Sequence, residues 1–327
     1  MFTTYKGVGV KGVFLGSALM LLLVLVAGTG FAQQKLDKVR IGLGTRFYGP
    51  LLPMFVAKSL HFDKRFGINA EISLYKGGAG VMEAVAAGEV DFYCYFPPGI
   101  AQAYARGVKS VIVAAGAARP VGWWMMVKKG SPIKNPKDLE GKKVGITSFG
   151  STTDYFARWA LHKAGVKADL VPVGGGGMAA HLITGGLDAI CVFPSLSYRL
   201  LLDGEASILM DLGKDMPPNY PDVWGASVQM KNERPDVLQR MVKILFFTIR
   251  YMKENPDFSV KFIKEYNNYS FDVAKYEYEH TIKGLSDDGM LRKEWLENSL
   301  GLAKLVGVTG LPPVEKIYTE KFVPVKW

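Results

Sequence analysis

GGAGVMEAVAAGEVDFYCYFPPGIAQAYARG, residues 77–107, returns 97 residues later as GGGGMAAHLITGGLDAICVFPSLSYRLLLDG, residues 174–204. Laid on each other without a gap, the two stretches agree at nine of 31 positions, against about two expected from average residue usage. The shared residues are those that turn a chain. Gly77, Gly78 and Gly80 fall on Gly174, Gly175 and Gly177, ahead of helix formers. Gly88 and Asp91 fall on Gly185 and Asp188, where an apolar run begins; Cys94, Phe96 and Pro97 fall on Cys191, Phe193 and Pro194, where it ends; Gly107 meets Gly204. Two copies make a pair of similar units and not a solenoid.

Outward from this repeat, Lys38–Gly44 matches Lys142–Ser148 in character, with a small change of spacing, and supplies each unit with a first strand. The first unit reads as strand Val39–Leu43, helix Leu51–Ser59 opening after Pro50, strand Ala70–Leu74 and helix Gly77–Ala87. Strand Val90–Cys94, helix Ile100–Arg106 and strand Val111–Ala115 follow. This alternation predicts an α/β fold with largely parallel sheets, in two lobes. Beyond Asn232 the chain turns helical. Glu233-Arg234-Pro235-Asp236 is a helix start, and Val237, Leu238, Met241, Val242, Leu245 and Ile249 recur at helical spacing. Further helices are predicted over Asp257–Tyr266, Asp272–Lys283 and Lys293–Val306. This tail is expected to pack on the first lobe, with its Met and aromatic stripes as core.

The 327 residues are 49% hydrophobic and 21% charged, which excludes a disordered tail or a collagen-like chain. Two cysteines build no disulfide framework, and Cys94 and Cys191 read as buried thiols at strand ends. The four histidines, His61, His162, His181 and His280, stand apart, and no HExxH or CxxC can be written, so no metal and no cofactor is expected. No Gly-Lys-Ser/Thr follows the Gly174–Gly177 run and there is no GxSxG elbow, so no catalytic residue is assigned.

Lys6 and Lys11 precede an apolar stretch that is densest from Leu19 to Val26 and ends in Gly30-Phe31-Ala32. Residues 1–32 read as a secretory signal peptide cut after Ala32. The run from Val13 to Ala32 is also long enough to span a bilayer, and an uncleaved membrane anchor is the alternative. From Gln33 onward the chain carries 38 basic and 30 acidic residues, a net +8. The lysines are interspersed with acids, so the charge reads as solvated surface plus one anion-binding cleft, and no nucleic-acid partner is expected.

In parallel α/β sheets ligands bind beyond the carboxyl ends of the strands. Each unit puts there a glycine turn opening a helix, whose free N–H groups attract an anion. The order of motifs carries a family resemblance. Pro50–Ala57 is followed by Phe62 to Gly67-Ile68, and Gly77–Gly80 leads into Ala86-Ala87-Gly88-Glu89-Val90-Asp91-Phe92. Gly130-Ser131 borders Asp138-Leu139-Glu140-Gly141-Lys142-Lys143-Val144-Gly145, then come Gly150-Ser151 and Gly185 to Asp188-Ala189. In these the sequence resembles the extracytoplasmic solute-binding proteins of bacterial ABC importers, within the nitrate/sulfonate/taurine and thiamine-precursor group. The resemblance implies a type II periplasmic-binding fold: two lobes, each a mainly parallel sheet flanked by helices, joined by two crossing segments and closing on ligand like a hinge. It also implies a periplasmic monomer that delivers a small molecule to a membrane permease and its ATPase. With crossings at Trp123–Val127 and Val223–Val228, lobe 1 comprises residues 33–120 and 226–327, and lobe 2 is the insertion 121–225.

The candidate ligand-binding residues follow from the strand ends. Thr45, Arg46, Phe47 and Tyr48 follow the first strand, and the Arg46 fork is the candidate counter-ion for a sulfonate or carboxylate. Gly78 and Ala79 offer backbone donors beside Tyr95, Phe96 and Pro97. Ser148, Gly150, Ser151 and Thr152 face them from the other lobe with Gly175, Gly176 and Pro194. N-capping is the plain alternative for the hydroxyls, and a surface position for Arg46. Trp123, Trp124 and Trp224 are placed near the hinge or cleft floor, with lobe packing as the alternative, and Arg119 and Arg158 are secondary candidates. A small organic anion such as an alkanesulfonate, taurine or a carboxylate is the expected ligand. The aromatic side chains leave an aromatic acid or a pyrimidine open, and a ligand-sensing role is the alternative to transport. The pyrimidine synthases of the wider resemblance use a cysteine-rich run with histidine; the comparable stretch here holds only Cys94, so that activity is not carried over.

Overall fold

The computed structural model describes residues 36–326; the N-terminal segment read as a signal peptide lies outside them. The first sheet is built from β1 (Asp37–Leu43), β2 (Ile68–Leu74), β3 (Phe92–Tyr95) and β4 (Ser110–Ala115). The helices between them are α1 (Leu52–Ser59), α2 (Phe62–Arg65), α3 (Gly78–Ala86) and α4 (Pro97–Ala105). The chain then crosses to β5 (Trp124–Lys128). The second sheet continues with β6 (Lys143–Ile146), α5 (Thr152–Ala164), β7 (Asp169–Pro172) and α6 (Gly174–Ile183). It ends with β8 (Ala189–Val192), α7 (Leu196–Leu202), β9 (Ala206–Asp211) and the short α8 (Leu212–Asp215), before β10 (Val223–Ser227) and α9 (Val228–Glu233). Four helices close the chain: α10 (Pro235–Glu254), α11 (Pro256–Asn267), α12 (Phe271–His280) and α13 (Lys293–Leu305).

The two sheets have one topology. Their orders are β2-β1-β3-β10-β4 and β7-β6-β8-β5-β9. In each, the first three strands in that order run parallel and the fourth, β10 or β5, runs antiparallel to both neighbours. The fourth strand is the one the chain lays down on arriving from the other sheet. The repeat explains itself at atomic level. Asp91 and the Arg40 backbone exchange hydrogen bonds: Asp91 N–H donates to the Arg40 carbonyl at 2.9 Å and Asp91 Oδ2 accepts from Arg40 N–H at 2.9 Å. Asp188 does the same with Lys143, at 3.0 and 2.8 Å. These two aspartates fix the register of the central strand against the first. The matched Gly77 and Gly174 have φ of +83° and +70°, a left-handed conformation that a side chain resists.

Apolar burial follows the expected periods. Every residue of β3, β4 and β8 is buried, as strands covered on both faces require. Phe92 of β3 and Trp224 of β10 stack with centroids 5.2 Å apart inside the first sheet's core, so Trp224 is a packing residue. Trp124 packs edge-on against Tyr198 at 5.4 Å. Helix α10 buries Leu238, Met241, Val242, Leu245 and Ile249 in one stripe and rests on α1 and α2. The later helices reach further: α12 packs on α7, and α13 on both α4 and α5. Helix α4 starts at Pro97 rather than Ile100, because Pro97 with its fixed φ opens a first turn directly after β3. Cys94 and Cys191 are buried and free. Among the described residues no helix is long and apolar enough to cross a membrane.

Candidate functional site

The carboxyl ends of the two sheets face each other across one cavity of about 60 Å³. From the first lobe, Gly44, Thr45, Tyr48 and Leu51 reach it on the segment after β1, Gly77 and Gly78 on the opening of α3, and Cys94 and Tyr95 at the end of β3. From the second, Thr147 comes after β6, Ser151, Thr152 and Thr153 open α5, and Phe193 follows β8. Trp123 and Asp222 enter from the two crossing segments. The glycines let backbone approach closely: a Cβ on Gly44 would lie 2.9 Å from the Gly77 carbonyl carbon.

The rims touch, so the lobes are closed on each other. The Tyr95 hydroxyl donates to the Gly150 carbonyl. Gly49 N–H donates to the Pro194 carbonyl at 3.0 Å and Ser195 N–H to the Phe47 carbonyl at 3.3 Å.

Chemically the cavity is hydroxyl-rich and aromatic, with one carboxyl. Thr153 Oγ1 accepts from Thr147 N–H at 2.8 Å and lies 2.7 Å from Ser151 Oγ, so these hydroxyls form one network. Tyr48, Trp123 and Phe193 pack mutually, with centroids 5.4 to 5.9 Å apart. Asp222 Oδ2 accepts from the Tyr48 hydroxyl, and Oδ1 accepts from Ala117 N–H at 3.1 Å with the Cys94 thiol at 3.5 Å. Burial pushes the Asp222 carboxyl up to about 6, against the pull of these donors. Burial and then the Asp222 carboxylate hold the Tyr48 hydroxyl and the Cys94 thiol well above their ordinary ranges. Burial does the same for Tyr95.

Of the residues singled out in sequence, the cavity collects Thr45, Tyr48, Gly78, Tyr95, Trp123, Ser151 and Thr152. Arg46 turns away: its Nη2 donates to the Tyr266 carbonyl at 2.6 Å and its guanidinium lies 4.8 Å from the Tyr266 ring centroid. Phe47 is half-buried and faces Gly176, and Gly175 faces Thr45 and Phe193. Ala79 and Gly150 oppose each other across the rim. Ser148 Oγ is buried without a partner next to Gly77. Phe96 packs on Tyr155 and Phe156, and Pro97 is the buried first residue of α4. Pro194 and Arg119 line a second hollow behind the cavity with Thr281. Arg158 pairs with Asp154 at 2.8 Å.

The cavity also holds residues that were not among the candidates: Gly44, Leu51, Gly77, Cys94, Thr147, Thr153, Phe193 and Asp222. Phe193 was within reach, as the repeat partner of Phe96. Asp222 directly precedes the predicted returning segment, and that position is its only sequence signal.

Two lobes of matched topology, two crossings and a shared cavity define a periplasmic-binding fold of type II. The alkanesulfonate-binding protein SsuA of Xanthomonas axonopodis pv. citri, bound to MOPS, superposes with a TM-score of 0.75 at 17% identity, covering 88% of this chain and 99% of that one. The periplasmic nitrate-binding protein NrtA of Synechocystis PCC 6803 gives 0.61 at 14% identity, over 73% and 69%. The desulfurization enzyme DszB gives 0.60 at 15% identity, over 88% and 97%, so the fold carries enzymes as well as binding proteins, and these likenesses show the fold alone. No curated protein matches the sequence. The chain belongs to the family described as NMT1/THI5 like, which matches residues 50–259.

Proposed function

We propose that this chain is the extracytoplasmic solute-binding component of an ABC importer. It captures a small organic solute between its lobes by hinge closure and hands it to a membrane permease driven by an ATPase. The observation that carries this reading is a cavity at the carboxyl ends of both sheets, walled from both lobes, with hydrogen bonds joining the lobes across its rims. Its volume of about 60 Å³ is well below the roughly 150 Å³ that accommodates benzene. That supports a short solute over a pyrimidine or an aromatic acid, which would need the rims to part. The first N–H groups of α3, at Gly78 and Ala79, have no side-chain cap and suit the acidic end of a sulfonate-, taurine- or carboxylate-type solute.

Binding is favoured over catalysis by the state of Cys94. A nucleophilic thiol needs a lowered pKa and a base. Burial and the Asp222 carboxylate instead hold Cys94 protonated, and no histidine is among the residues lining the cavity.

A thermal-shift screen over short sulfonates, carboxylates, amino derivatives of both, nitrate and pyrimidines tests the proposal. At least one short member is expected to raise Tm in a concentration-dependent way, since binding only to the folded state stabilises it by mass action. A flat response to the whole panel would sink it.

A further inference from the structure

We infer that Asp222 receives a protonated amine of the bound solute, so that the preferred solute is a short ammonium-bearing molecule and not a simple anion. The inference rests on the solute-binding reading above. Asp222 is 3% exposed and is the only Asp, Glu, Lys, Arg or His among the residues lining the cavity. The donors that reach it are a phenol, a thiol and a backbone N–H, all neutral. A carboxylate buried without a cation is costly, and proteins pair such groups.

The basic candidates do not line the cavity, and Arg119 lines the neighbouring hollow instead. Arg46 is held by the Tyr266 carbonyl and ring, and Arg158 by Asp154. The opening turn of α5 already seats a carboxylate of its own, since Gly150 N–H donates to Asp154 Oδ2 at 2.8 Å. A purely anionic solute would therefore meet the Asp222 charge with no side-chain cation to offset it. An ammonium group supplies the missing partner, and the Tyr48, Trp123 and Phe193 rings that wall the cavity attract a cation through their faces. An acidic end, if present, is left to the α3 donors.

The test uses matched probes on the purified protein by calorimetry: ethanesulfonate against 2-aminoethanesulfonate, propionate against 3-aminopropionate, and ethylammonium alone. The amino members are expected to bind at least about 10-fold more tightly than their parents, and Asp222→Asn to abolish that difference. Parents that bind as tightly as their amino derivatives, or a preference that survives in Asp222→Asn, would overturn the inference while leaving solute binding intact. Failure of every probe, together with a flat thermal-shift screen, would overturn both.

Should Asp222→Asn not fold, the wild-type protein decides. The titratable groups facing Asp222 are Tyr48, from the segment after β1, and Cys94, from β3, and both stay protonated in the acid range. Affinity for the amino members should fall about 10-fold from pH 7.5 to pH 5, as Asp222 takes up a proton, while that for the parents does not. Equal pH profiles for the two sets would overturn the assignment.

Discussion

Glu277 on α12 is fully buried, directly under Gly49, where a Cβ would overlap its carboxyl. Burial pushes the group up to about 8, and among the described residues neither carboxyl oxygen has a hydrogen-bond partner. A carboxyl raised in the folded state favours the protonated form. Its stabilising contribution is full below the ordinary carboxylate range and is lost as pH rises through about 8. Glu277→Gln should therefore match the wild type at pH 5 and exceed it at pH 8.5 by an amount on the order of a few kcal/mol. Chemical denaturation at the two pH values checks this, and an equal offset at both would refute it. Neither Glu277 nor Asp222 was legible in the sequence. Asp222 follows the loop Pro217-Pro218-Asn219-Tyr220-Pro221, with no motif around it. Its burial is made by Ala117 and Cys94, which lie more than a hundred residues away in the chain. Arg46 fails for a related reason: its partner Tyr266 belongs to the helical tail, whose position no local pattern announces.

At the scale of elements, the Tyr95 ring is clamped between the openings of α3 and α4. A Cβ on Gly78 or on Gly99 would overlap it. Gly99→Ala should thus cost about 1–3 kcal/mol of stability by overpacking and displace the hydroxyl that reaches Gly150. Tyr95→Phe keeps the packing and removes only that hydrogen bond across the rim. It should weaken solute binding about 2- to 10-fold, with Tm of the free protein nearly unchanged; a titration showing wild-type affinity would dissociate Tyr95 from closure. This layer was the most readable one. The repeat exposed the turns and the two register-setting aspartates because both are local demands on residue type. The helix and strand spans followed from periodicity to within a few residues. The lining residues Thr147 and Thr153 were missed because an ordinary N-terminal hydroxyl network has the same composition as a binding wall.

For the whole molecule, the closed arrangement brings the Ala79 Cβ to 3.9 Å from where a Cβ on Gly150 would stand. That is within the Cβ separation of a disulfide. The pair Ala79→Cys with Gly150→Cys should therefore cross-link under oxidation, at the cost of strain at Gly150, whose φ is +76°, and shut the cavity, slowing solute entry and release until reductant is added. Stopped-flow binding with and without reductant measures it, and unaltered kinetics in the oxidised protein would show that entry does not require the rims to separate.

The exchange of one strand between the sheets has a further consequence, for how the chain is made. As it leaves the ribosome, residues 37–115 cannot complete their sheet, because the strand that lies between β3 and β4 is Val223–Ser227. More than a hundred residues must be synthesised before that gap is filled. Until then two strand edges stay bare, and such distant pairing is slow to form. The nascent chain is thus kept from maturing early by its own topology, and any truncation before residue 223 leaves both edges open to the wrong partner.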